Sequence, residues 1–184
     1  KSIKDNGYAL LENLYTDEQL DKIKKSLLGM LNYMQPNNKT KNLQEKYYDI
    51  KKASRILKGH FYDLCKNEVE LLRLVQDPRV IDIVKGFFNA ATVFSSDPGI
   101  LIYDDENDRF LAPHQETNQF SRDFLFIWAP LYDAKGDQGG ITVYKDSHKH
   151  GYYKHHTNNK LGSTNVNPES LKKFQKKIIE VEAG

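Results

Sequence analysis

The sequence predicts an α+β domain, and three observations carry that prediction. Apolar residues recur at helical spacing through the first half of the chain, short apolar runs separated by polar turns fill the second half, and the two patterns do not alternate. Helices first and short strands afterwards describe a fold whose β part is a sandwich or a barrel. At 184 residues and 39% apolar content the chain is long enough to bury one sizeable core, so residues 1–184 are read as a single domain, with 1–90 mainly helical and 91–184 mainly strand.

The helical half opens on a turn at Asp5-Asn6-Gly7 and a strand-like Tyr8-Ala9-Leu10-Leu11. Thr16-Asp17-Glu18-Gln19 then has the capping-box form, in which Thr16 caps a helix and Gln19 returns a bond to the Thr16 backbone. Leu20, Ile23, Leu27, Leu28 and Leu31 give that helix an apolar stripe, which is core. Residues 35–46, rich in Asn, Lys and Thr, read as an exposed loop. A helical pattern follows over residues 50–75 through Ile56, Phe61, Leu64, Leu71 and Leu74; Arg55 and His60 fall in it, with a structural role favoured over one facing a pocket. Asp77-Pro78 starts another helix, Asp as cap and Pro in the first turn, running through Val80, Ile81, Ile83, Val84 and Phe87.

In the second half, residues 91–94 and 99–103 read as strands. The acidic run at 104–108 lacks the glycine and distal glutamate of an EF-hand and is read as a solvated loop. Phe124-Leu125-Phe126-Ile127-Trp128-Ala129-Pro130-Leu131 reads as a buried apolar strand, residues 132–138 as a polar turn, and Gly139-Gly140-Ile141-Thr142-Val143-Tyr144 as the returning strand. A second turn occupies residues 146–151. Residues 158–168 read as loop, 169–177 as a short amphipathic piece with Lys172-Lys173 and Lys176-Lys177 on the solvated face of a helix, and 178–184 as an alternating strand.

Composition narrows the partners. The net charge of +2 arises from many charges of both signs, so there is no electrostatic case for nucleic acid or an anionic membrane surface. No apolar run approaches the roughly 20 residues that span a bilayer, and the N-terminus has no signal-peptide apolar region. The single cysteine, Cys65, excludes an intrachain disulfide and fits a reducing compartment; a cytoplasmic protein is expected, with Cys65 an inert buried thiol.

The chemistry centres on Ala112-Pro113-His114-Gln115-Glu116. Side chains two apart on an extended segment share a face, so His114 and Glu116 can grip one ion. That spacing supplies two of the three ligands of the 2-His-1-carboxylate facial triad, which holds one face of an octahedral Fe(II) and leaves the other open. On its own the triplet is common. His148, His150, His155 and His156 form a dense group that invites a metal reading, but histidines spaced through Tyr152-Tyr153-Lys154 are usually exposed.

In order along the chain, His114-Gln115-Glu116, Trp128, Gln138-Gly139-Gly140 and Ser147-His148-Lys149-His150-Gly151 make the sequence resemble the phytanoyl-CoA dioxygenase family of Fe(II)/2-oxoglutarate-dependent oxygenases. The family pattern is His-x-Asp, an apolar strand carrying a Trp, an Asn-Gly-Gly-like turn and a Pro-Gly-Ser-His-Lys-x-Gly turn. Two departures stand out: Glu116 replaces the usual Asp, and Lys145-Asp146 replaces Pro-Gly. The opening strand and capped helix also resemble the start of these domains.

The resemblance implies a double-stranded β-helix, a cupin-like jelly roll formed by residues 91–184 and buttressed by the N-terminal helices. It implies Fe(II) on His114 and Glu116, 2-oxoglutarate beside Trp128 with Gln115 between the two ligands, and His148 in a rim turn. Its partners would be O2 and a small-molecule substrate, hydroxylated as 2-oxoglutarate becomes succinate and CO2. Related halogenases carry a small residue in place of the carboxylate, so Glu116 points to hydroxylation. The family's distal histidine and 2-oxoglutarate-binding arginine follow a Glu-Ala-Gly-Asp-like turn. This sequence stops at Glu182-Ala183-Gly184 with no histidine after His156, so those residues and the last strands are expected beyond it. A catalytically silent jelly-roll binding domain and a cupin-like enzyme using another divalent metal remain as alternatives. The substrate and the oligomeric state are not legible.

Overall fold

A computed structural model describes residues 2–37, 40–96, 98–102, 112–116, 124–136, 139–158 and 163–184. They group into two compact units, one of Tyr15–Ile102 with Gly184, the other of Lys1–Leu14 and Tyr103–Ala183. Leu111, Gln138 and the acidic run at 104–108 lie outside the described residues.

The first short helix, α1 (Ser2–Asn6), occupies the expected turn and ends at Gly7, whose φ of 82° terminates it. In the helical unit, α2 (Asp17–Met34) begins with the predicted capping box: Thr16 Oγ1 accepts from the Gln19 N–H, and Gln19 Oε1 accepts from the Thr16 N–H at 2.9 Å. Its Leu20, Ile23, Leu27 and Leu31 are buried. The helix ends at Gln35, whose backbone carbonyl accepts from the buried Lys46 ammonium at 2.8 Å.

One expectation fails here and another is refined. From Leu43 onward the loop read over residues 35–46 gives way to α3 (Leu43–Ala53), because Asn42 caps it by accepting from the Glu45 N–H, and Lys46 is buried rather than solvated. The pattern read over 50–75 is three helices: α3, α4 (Arg55–Cys65) and α5 (Val69–Val75). Ser54 has extended backbone. Its N–H closes α3 onto the Ile50 carbonyl while its hydroxyl caps α4 at Leu57, so the helical phase restarts. Phe61, Leu71 and Leu74 are buried as expected, whereas Ile56 and Leu64 face solvent. Arg55 and His60 are exposed.

Glu68 is buried and caps α5. Its carboxylate accepts from the Leu71 N–H at 2.7 Å and from the Ser26 hydroxyl at 2.5 Å, which ties α5 to α2. Asp77 and Pro78 start α6 (Pro78–Phe88) as expected, and Asn89 ends it in the left-handed conformation. No helix among the described residues is long and apolar enough to cross a membrane.

The other unit carries the strands. β1 (Ile141–Tyr144) pairs antiparallel with β4 (Lys176–Ile179), Ile141 opposite Ile179, and a separate antiparallel bridge joins Ala134 to Val181. β2 (His155–Asn158) pairs antiparallel with β3 (Ser163–Val166), His155 opposite Val166. Val166, Leu171 and Ala134 are buried.

The architecture is thus mixed helix and sheet. Among the described residues it comprises two antiparallel strand pairs, fewer than a jelly roll requires. Residues 8–11, 91–94, 99–102 and 124–131 are not strands. An apolar run becomes a strand only when another strand takes up its backbone groups. The 124–131 run has no such ladder, and its Phe126 and Ile127 are exposed. Conversely, the loop read over 158–168 contains β3, whose polar Ser163-Thr164-Asn165 gave no apolar signal. The helix read around Lys172–Lys177 is a 3-10 turn, Pro168–Leu171, followed by β4, on which Lys176 and Lys177 are exposed strand residues.

Candidate functional site

Residues 112–116 do not form the regular strand on which the His114–Glu116 pairing was argued. Pro113 has no N–H to give to a ladder. Its carbonyl accepts from the Val166 N–H at 2.8 Å, and the N–H of Gln115 goes instead to the imidazole Nε2 of His155, also at 2.8 Å. His155 and Val166 face each other in the β2–β3 register, so one cross-strand pair straps down both residues that flank His114. The convergence survives without the ladder: His114 Nε2 lies 3.0 Å from Glu116 Oε1, with side chains 28% and 23% exposed.

The hydrogen bonds decide which way this imidazole presents itself. Nδ1 of His114 is 2.8 Å from the Ala112 carbonyl oxygen, which only accepts, so Nδ1 carries a proton. In a neutral ring Nε2 then turns a lone pair toward the carboxylate. Two lone pairs at this distance repel unless a proton or a cation is shared between them. Histidines that bind metals are held in this way, one ring N–H donating to a backbone carbonyl while the other nitrogen serves as ligand.

The spacing fits as well. Cis ligands about 2.1 Å from an octahedral cation stand about 3.0 Å apart, with the cation off the line that joins them. His114 and Glu116 therefore suit one edge of a coordination octahedron. Among the described residues no group of three His, Cys, Asp or Glu side chains could hold a metal.

The four clustered histidines separate into different jobs. His155 is half-buried, its Nδ1–H donating to the Tyr153 carbonyl at 2.8 Å and its Nε2 accepting from Gln115, so both nitrogens are engaged and the ring is neutral in this arrangement. His148 is exposed in a 3-10 turn, Ser147–His150, and donates from Nε2 to the Lys4 carbonyl at 3.1 Å. His150 is exposed, with its ring 5.1 Å from that of Phe174, and His156 is exposed. The sequence reading of this group as exposed holds for three members and fails for His155. Its contact with Gln115 spans 40 residues, and no local pattern announces it.

Gln115 is committed on every side. Its Oε1 accepts from the Tyr153 N–H at 2.8 Å, and its Nε2 donates to the Gly151 carbonyl at 3.0 Å. Trp128 is half-buried within the irregular 124–131 segment.

A phytanoyl-CoA dioxygenase family model matches residues 3–183, nearly the whole chain. No curated protein and no solved structure matches significantly. Members of the family are typically dioxygenases dependent on Fe(II) and 2-oxoglutarate, and the family implies a cupin-like jelly roll. With a match over this length and the His-x-Glu pair converging at its centre, the chain belongs to the phytanoyl-CoA dioxygenase family.

Proposed function

We propose that this protein is an Fe(II)/2-oxoglutarate-dependent dioxygenase that hydroxylates a small-molecule substrate, with residues 1–184 contributing a single oxygenase domain. The observation that carries this reading is the 3.0 Å approach of His114 Nε2 to Glu116 Oε1, with the imidazole already oriented by the Ala112 carbonyl. Bound Fe(II) and 2-oxoglutarate would supply the oxidation, in which O2 converts 2-oxoglutarate to succinate and CO2 and places one oxygen atom on the substrate.

The chain's own residues contribute binding and placement. His114 and Glu116 would hold the iron through one neutral nitrogen and one carboxylate oxygen, a donor set suited to Fe(II). Trp128 walls the 2-oxoglutarate site. Gln115 serves the same site through the 151–153 segment, which its amide holds at both ends. Retention of a carboxylate at Glu116 favours hydroxylation over halogenation.

Anaerobic addition of Fe(II) and 2-oxoglutarate tests the assignment. The full-length protein is expected to develop a weak visible charge-transfer band, and His114→Ala is expected to abolish it while leaving the far-ultraviolet circular dichroism unchanged. A native protein that binds neither iron nor 2-oxoglutarate sinks the oxygenase reading and leaves a binding domain.

A further inference from the structure

We propose that His155 is a positioning residue for the iron-binding pair: its imidazole holds the backbone between His114 and Glu116 in the orientation that lets both side chains meet. The inference deepens the oxygenase reading and rests on it for the identity of the bound ion, but not for the contact itself.

The case rests on a closed set of hydrogen bonds. The Tyr153 carbonyl takes the Nδ1 proton of His155, which leaves Nε2 as an acceptor, and the Gln115 N–H donates to it at 2.8 Å. The Tyr153 N–H and Gly151 carbonyl grip the Gln115 side chain, so backbone and side chain of this residue are fixed to the same short stretch. Two residues earlier along the motif, the Pro113 carbonyl accepts from Val166, the register partner of His155.

His114 therefore sits between two anchored neighbours, and Glu116 follows directly on the second. An amide between two converging side chains sets the direction in which both leave the backbone. If it rotates, the 3.0 Å approach of Nε2 to Oε1 opens. A backbone carbonyl from a neighbouring strand would serve the Gln115 N–H equally well for folding. An imidazole in that place makes the geometry of the motif depend on one side chain 40 residues away.

Two variants separate this role from mere packing. His155→Phe keeps a ring but removes the acceptor, and His155→Gln restores an acceptor oxygen at similar reach. In the metal-free chain the Gln115 amide should exchange with solvent far faster in His155→Phe than in the native protein, with protection recovered in His155→Gln. Supporting partners of metal ligands alter affinity by about 10- to 100-fold when removed, so Fe(II) affinity should fall about tenfold in His155→Phe and recover in His155→Gln.

Unchanged amide exchange or unchanged iron affinity in a folded His155→Phe overturns the proposal. If that variant does not fold, a through-hydrogen-bond coupling between the Gln115 amide nitrogen and His155 Nε2 in the native protein decides the matter, and its absence also overturns the proposal. A full-length protein that binds no iron refutes the oxygenase function; amide exchange and coupling then decide by themselves whether His155 holds the motif.

Discussion

The Lys46 ammonium, fully buried in the helical unit, donates to the backbone carbonyl of Gln35 at 2.8 Å and so closes the C-terminus of α2. A cation at this end also meets the negative pole of the helix. Lys46→Met keeps much of the side-chain volume but leaves the part-buried Gln35 carbonyl without this donor. It should destabilise the protein by about 1–3 kcal/mol, read as a lower urea midpoint with an unchanged slope.

Glu116 is one methylene longer than the aspartate usual in the family, yet its Oε1 reaches His114 Nε2. Glu116→Asp should therefore weaken Fe(II) binding less than Glu116→Ala, which removes the carboxylate altogether. Anaerobic iron titration of the three proteins checks the order. Equal affinity in Glu116→Ala and the native chain would remove Glu116 from the metal site.

Burial pushes the Cys65 thiol up from 9.0 to about 12, with the negative charge of Glu68 adding to the effect. The folded chain keeps this proton at pH values where the unfolded chain has lost it. The contribution is fully present below about pH 9 and is lost as pH rises toward about 12. Cys65→Ala should flatten the fall in stability across that window, measured by urea unfolding at successive pH values. At neutral pH, iodoacetamide should label Cys65 only as the chain unfolds.

Gly7 ends α1 with φ of 82°, and a Cβ built there would lie 2.6 Å from Nδ1 of His148. Gly7→Ala pays about 1–2 kcal/mol for the left-handed backbone and pushes His148 away from the Lys4 carbonyl. A lower Tm should accompany it. Gly7→Ala in a His148→Ala background should cost less, because the contact is gone while the backbone strain remains.

Much of the fold was legible where the signal is local. The capping box at Thr16, the Asp77-Pro78 start of α6, the stripe of Leu20, Ile23, Leu27 and Leu31, and the returning strand β1 all rest on residues within a few positions of one another. Where the outcome depended on a distant partner, the reading failed. The 124–131 run has the composition of a strand but no neighbouring ladder, whereas Ser163-Thr164-Asn165 became a strand because β2 pairs with it.

The site divides along the same line. From the sequence alone came the His-x-Glu pair proposed as ligands, its spacing, the family and the expectation that Cys65 is inert; each depends on residue identity and short-range order. The tertiary structure alone decided that His114 and Glu116 meet without a strand beneath them, and that of four neighbouring histidines only His155 reaches back to the motif. A hydrogen bond across 40 residues exists only once the hairpin and the motif have been brought together, and no periodicity in either segment encodes it.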